Sequence, residues 1–187
     1  VMIFVGVLMR GKLNSLLRAH IENVVATQAE LMADIFEGKL NAELERLSEM
    51  VEELQAEGAD NSAILSTYSA MKKETESTYG LLALDGSARY GEAVLVQEFS
   101  GIRDSFRGNK AISYNEEKGL LFTVPVCNGD NVRYVLYQKY DKENASLQFA
   151  VGCFEKEGYV SIRDIDGVVV VEAGNSEFGN SPILMEE

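Results

Sequence analysis

The chain has 187 residues, 46% of them hydrophobic, enough for a real core in one domain or in a long helix joined to one and a half small ones. Seventeen basic residues against 30 acidic ones leave a formal charge of −13. That balance argues against nucleic acid as a partner, because a phosphate backbone demands a basic footprint.

The first element is apolar. Val1 to Met9 reads VMIFVGVLM without a charge, and Arg10 and Lys12 follow. Nine residues fall short of the roughly 20 that span a bilayer, and a signal peptide carries its basic residues ahead of the apolar run. The run is read as the end of a transmembrane helix over 1–9; the alternative is a buried helix start or a hydrophobic interface strip. From about Leu13 to Glu57 the pattern is helical, within a signalling or dimerisation helix taken as 10–57. Leu17, Ile21, Val24, Leu31 and Ile35 step by fours and threes, with Gln28 filling one apolar slot. After Gly38 the stripe resumes through Leu40, Leu44, Leu47, Val51 and Leu54. This is the seam of a coiled coil or of a helix lying along a domain. The step of five from Ile35 to Leu40 shifts the register, as where a helix changes partner. Such a helix is roughly 65 Å long, more than a domain of this size can bury. Its acidic residues (Glu30, Asp34, Glu37, Glu43, Glu45, Glu49, Glu52, Glu53 and Glu57) read as a solvated face.

Gly58 to Asn61 ends the helix, and Asn61 or Ser62 can cap a second one to about Lys73. YGLLALDG then reads as a strand closed by an Asp85-Gly86 turn, with a short strand at Ala88–Tyr90. Glu98 to Arg107 reads as a short helix stopped by Gly108. Three strands are expected at Lys110–Tyr114, Gly119–Cys127 and Val132–Tyr140, the last two joined at Asn128-Gly129-Asp130. Pro125 calls for an edge position or a bulge. A short helix at Glu143–Ala150 and a hairpin on Asp166-Gly167 follow; the valines at 168 to 171 predict a strand covered on both faces. The strand-Asp-Gly-strand pattern occurs twice, as an internal repeat or as two ordinary hairpins. The tail 175–187 has no firm reading.

Chemistry-bearing motifs are sparse. There is no nucleotide loop, zinc-protease motif or nucleophile elbow. Cys127 and Cys153 lie in apolar surroundings and read as buried free thiols, with a disulfide open to them outside the cytoplasm. The one histidine, His20, lies on the long helix, which disfavours both a zinc site and a catalytic triad. Asp164 and Asp166 fit a turn better than a metal or acid–base pair. No catalytic residue, metal site or cofactor is expected.

The order of elements resembles the extracytoplasmic PAS-like sensor domains called Cache domains. GLLFTVPVCNGDNVRYVLYQKYDKENASLQF is similar to that family's strand with a central proline, turn, and strand ending in a docking helix. GIRDSFRGNKAIS resembles the helix-to-strand entry beneath the ligand pocket, and GYVSIRDIDGVVVV the hairpin that opens the membrane-proximal lobe of a double Cache domain. The resemblance covers roughly 13 to 174. It implies an α+β fold, with the long N-terminal helix packed on a PAS-like antiparallel sheet. The sensor lobe would occupy 61–152, and 153–187 would form the hairpin of a second, incomplete lobe or an edge of the first. It also implies a homodimeric bacterial membrane receptor whose sensor region lies outside the cytoplasm and binds a small molecule such as an amino acid or organic acid. The output would be cyclic-di-GMP turnover, a histidine kinase or a chemoreceptor. In such a sheet the ligand-binding candidates are Tyr90, Arg103, Arg107, Tyr114, Phe122 and Tyr137, with Phe106 and Tyr134 in the same region. Arg103 and Arg107 stand one helical turn apart and suit a carboxylate. The alternatives are half-buried sheet tyrosines, arginines that offset local acid, and a membrane-anchored dimerising structural or interaction module without a ligand.

Overall fold

A computed structural model describes residues 2–56, 77–150, 159–163 and 167–174, with side chains over 16–55, 77–150, 159–163 and 167–172. The expected helix at 61–73, Cys153, Asp164, Asp166 and the tail 175–187 lie outside the described residues. The chain divides into two units, Val1–Glu37 and Gly38–Glu187.

Helix α1 runs Met2–Ala56 and includes Gly38. From Leu17 to Ile35 the leucines, isoleucines and valine of its apolar stripe are exposed. From Gly38 onward the shifted stripe turns inward, and Leu47, Val51 and Leu54 are buried. The register shift between Ile35 and Leu40 therefore coincides with the division of the chain.

In the second unit a five-stranded sheet has the order β2-β1-β5-β4-β3. Its strands are β1 (Thr78–Ala83), β2 (Ala88–Tyr90), β3 (Ala111–Asn115), β4 (Gly119–Asn128) and β5 (Asn131–Tyr140). Every pairing is antiparallel. The glycine-marked turns fall where the sequence places them. Gly86 adopts φ 83° and its N–H donates to the Ala83 carbonyl, while Asp85 accepts from the Ser87 N–H and hydroxyl. Gly129 adopts φ 61° in the two-residue link between the paired Asn128 and Asn131. Helix α2 is shorter than expected, Gly101–Phe106, and Gly108 at φ 95° follows it. Helix α3, Lys142–Phe149, starts on Asp141, whose carboxylate accepts from the Asn144 N–H at 2.8 Å.

Of the two conditions expected for Pro125, an edge position or a bulge in its own strand, the structure meets the first. The last β3–β4 pair is Ala111 with Thr123, so β4 runs on past the end of β3 and Pro125 loses no ladder bond there. A bulge in the β4–β5 pairing lies just beyond, between Val126 and Cys127. Past that bulge Cys127 carries a free thiol that is half-buried rather than enclosed, because it sits at the hairpin end of the strand.

A separate two-stranded hairpin, β6 (Tyr159–Arg163) and β7 (Val169–Gly174), packs through β7 against α3. Val170 and Val171 are both buried; as neighbours they face opposite sides, so this part of the strand is covered twice.

Candidate functional site

The two faces of the five-stranded sheet do different work. Adjacent residues of β4 identify them. The Thr123 hydroxyl meets the Ser105 hydroxyl of α2 at 2.8 Å, while the Phe122 ring packs 5.7 Å from Phe149 of α3. Residues directly opposite in an antiparallel pair share a face. Tyr137, opposite Thr123, therefore looks toward α2; Gln138, opposite Phe122, looks toward α1 and α3.

The α2 face is where a PAS-like sheet would enclose a ligand, and here side chains fill it. Leu82, Val94, Phe99, Ile102, Leu121, Val135 and Tyr137 form one buried cluster. Tyr137 lies over Gly80, its register partner, and donates its hydroxyl to the Glu92 carbonyl at 2.6 Å. A Cβ on Gly80 would overlap Cε1, Cζ and the hydroxyl of that ring. Gly80→Ala is thus expected to cost about 2 kcal/mol in urea unfolding, since the obstacle is a side chain that can shift only within a packed core. Tyr137→Leu in the Gly80→Ala background should recover part of the loss; strictly additive losses would contradict the contact.

The α1 face carries a polar network that fastens the helix to the two innermost strands it meets. One Arg46 Nη donates to Glu43 Oε1 at 2.7 Å, to the Tyr79 hydroxyl at 2.7 Å and to Gln138 Oε1 at 3.1 Å. Gln138, with no exposed surface, donates from Nε2 to Ser77 Oγ at 3.0 Å and to the Tyr140 hydroxyl at 2.7 Å. Tyr140 in turn donates to Glu43 Oε1 at 2.7 Å. Burial works to raise the Glu43 carboxyl, but hydrogen bonds from Arg46 and Tyr140 and the guanidinium charge outweigh it, and the group is held below its usual range. Burial, reinforced by Glu43, pushes the Tyr140 hydroxyl up. The hydrogen bond to Glu43 outweighs burial and raises Arg46 above its ordinary range.

The six ligand-binding candidates do not converge. Tyr137 and Phe122 point through opposite faces. Tyr114 shares the Phe122 side and donates its hydroxyl to the Val169 carbonyl of β7. Tyr90 lies on the edge strand β2, half-exposed. Arg103 and Arg107 face solvent, the latter 3.6 Å from Asp104, a partner of the kind that offsets local acid. Among the described acidic residues read as solvated, Glu43 is the exception: only 13% of its side chain is exposed. Two features of the sequence, taken together, could have singled it out. Glu43 and Arg46 flank the inward stripe at a helical spacing of three, and Gln138 interrupts an inward run between Leu136 and Tyr140.

Among the described residues no helix is long and apolar enough to cross a membrane, and no group of three or more His, Cys, Asp or Glu is placed to hold a metal. The chain matches no protein-family model and no curated protein sequence.

Proposed function

We propose that this chain is the Cache-like input module of a bacterial membrane receptor, its sensor region outside the cytoplasm, and that α1 carries the signal. The strand order β2-β1-β5-β4-β3, with a long N-terminal helix tied to β1 and β5 by the Arg46–Gln138 network, supports this reading. That is the arrangement expected of a PAS-like sheet read out by a helix. Any displacement of β5 acts on Gln138, and through Arg46 on the helix. Only an input that interacts differently with two arrangements of the sheet can drive such a displacement.

The filled α2 face favours a second reading, in which the module dimerises and engages another macromolecule without a small-molecule ligand. A thermal-shift screen of the full chain against amino acids, organic acids and purines separates the two. A ligand at 100 times its Kd stabilises by about 2.7 kcal/mol, which for a chain of this size raises the midpoint by roughly 5–10 °C. One such compound supports the receptor with a small-molecule input. A flat screen removes the small molecule and leaves the interaction module.

A further inference from the structure

The first unit presents an apolar stripe that its own residues leave uncovered. Leu17, Ile21, Val24, Leu31 and Ile35 are each between 40% and 59% exposed. With Gln28 they keep a strict alternation of four and three residues, the heptad spacing of a coiled-coil seam. In that phase Ile21, Gln28 and Ile35 occupy the a positions, and Leu17, Val24 and Leu31 the d positions. A β-branched residue at a with leucine at d is the pattern that favours two strands. Gly38 takes the next d position, so the seam stops where the second unit begins.

We propose that residues 17–35 form a parallel, in-register, two-stranded coiled coil with a second copy of this chain, Gln28 pairing with the partner's Gln28. Orientation follows from the amide. In a parallel dimer a faces a, so the two glutamines satisfy one another across the axis. In an antiparallel dimer a faces d, and Gln28 would be buried against Val24 or Leu31 with its amide unanswered, which is costly. Flanking positions agree. Parallel pairing sets His20 beside the partner's Val25 and Thr27 beside the partner's Met32, so no like charges meet along the seam. The proposal deepens the dimeric part of the receptor reading and fixes its geometry.

The test is disulfide trapping in the full chain, with Cys127→Ser and Cys153→Ser as background. Leu17→Cys occupies a d position near one end of the seam. In the parallel dimer it meets its own copy and is expected to trap a covalent dimer under mild oxidation. In an antiparallel dimer the two copies of residue 17 stand roughly 27 Å apart, far beyond the ~7 Å that a disulfide bridges between Cα atoms. There Leu17→Cys would instead cross-link to Ile35→Cys. Glu30→Cys, at an outer c position, should trap little. Sedimentation of the untrapped chain should give twice the monomer mass, and Ile21→Asp should return it to monomer. A monomeric parent, trapping at Glu30→Cys as strong as at Leu17→Cys, or trapping only between Leu17→Cys and Ile35→Cys each overturns the proposal. The thermal-shift screen does not depend on this outcome, so failure here is distinguishable from failure of the receptor reading.

Discussion

Gly119→Ala is expected to be among the most damaging single substitutions in the described sheet, with a loss of about 4 kcal/mol or more. Two costs coincide at this position. Gly119 adopts φ 89°, in the left-handed region where an L side chain is strained by about 1–3 kcal/mol. Its missing Cβ also leaves room for backbone. A methyl group there would overlap the Tyr140 carbonyl oxygen and stand 2.7 Å from the carbonyl carbon and 2.9 Å from the Cα of Asp141. A ring can turn away from an added methyl group; a main-chain carbonyl at the end of β5 can do so only if the strand moves. That strand end also starts α3, because Asp141 is its N-cap. The alanine therefore strains the β3–β4 turn, the last β4–β5 pair and the entry to α3 together. Thermal unfolding followed by far-UV circular dichroism should show a midpoint roughly 10 °C or more below the parent. Glu117→Ala, two residues away on the exposed turn, should remain within about 0.5 kcal/mol of the parent. A Gly119→Ala midpoint within about 2 °C of the parent would falsify this account of the position.

The contrast between fold and site shows what a sequence of this kind can convey. Strand ends were legible because glycine and Asx residues mark the turns chemically, and the β4–β5 hairpin follows from Asn128-Gly129-Asp130 directly. The faces of the sheet were not legible, and one residue explains why. From the turn, Asn128 pairs with Asn131 and Cys127 with Val132. That register, continued, would set Phe122 opposite Tyr137 and point both rings into one pocket. The bulge leaves Arg133 out of the ladder, so Val126 pairs with Tyr134 and Phe122 with Gln138. A slip of one residue sends every later side chain of β5 to the other face. The same slip aims Gln138 and Tyr140 at α1 and creates the network that the sequence reading missed. Pro125 hinted at irregularity, but a proline does not say which strand holds the extra residue. The inward turn of α1 after Gly38 was legible as a change of register, whereas Glu43 and Arg46 resembled an ordinary solvated helix pair until a strand was placed over them.

Breaking that network should produce a stability loss that depends on pH. Arg46→Met removes the cation and leaves the Glu43 carboxylate, the Tyr79 hydroxyl and Gln138 Oε1 without their shared donor. Removing one member of a fully buried pair costs about 3–5 kcal/mol. The Arg46 side chain is 34% exposed, and water can partly replace it, so about 2–3 kcal/mol is expected. Gln138→Leu, at a position with no exposure, should cost about as much, because Ser77, Tyr140 and Arg46 each lose a bond where water has little access. The pH dependence follows from Glu43 and Tyr140. The Glu43 carboxyl titrates lower in the folded chain than its ordinary 4.5. Its contribution is therefore complete above that value and disappears as pH falls through the depressed one. The Tyr140 hydroxyl titrates higher than its ordinary 10, so its contribution is complete below 10 and fades as pH rises through the elevated value. Glu43→Gln keeps the shape and removes the charge. The stability gap between parent and Glu43→Gln, measured by urea unfolding across the pH range, should be widest near neutrality, about 1–2 kcal/mol, and should close below pH 4.5 as the parent carboxylate takes up its proton. A gap that stays constant into acid would mean that the charge of Glu43 contributes nothing to holding α1. The network would then fasten the helix by shape and neutral hydrogen bonds alone.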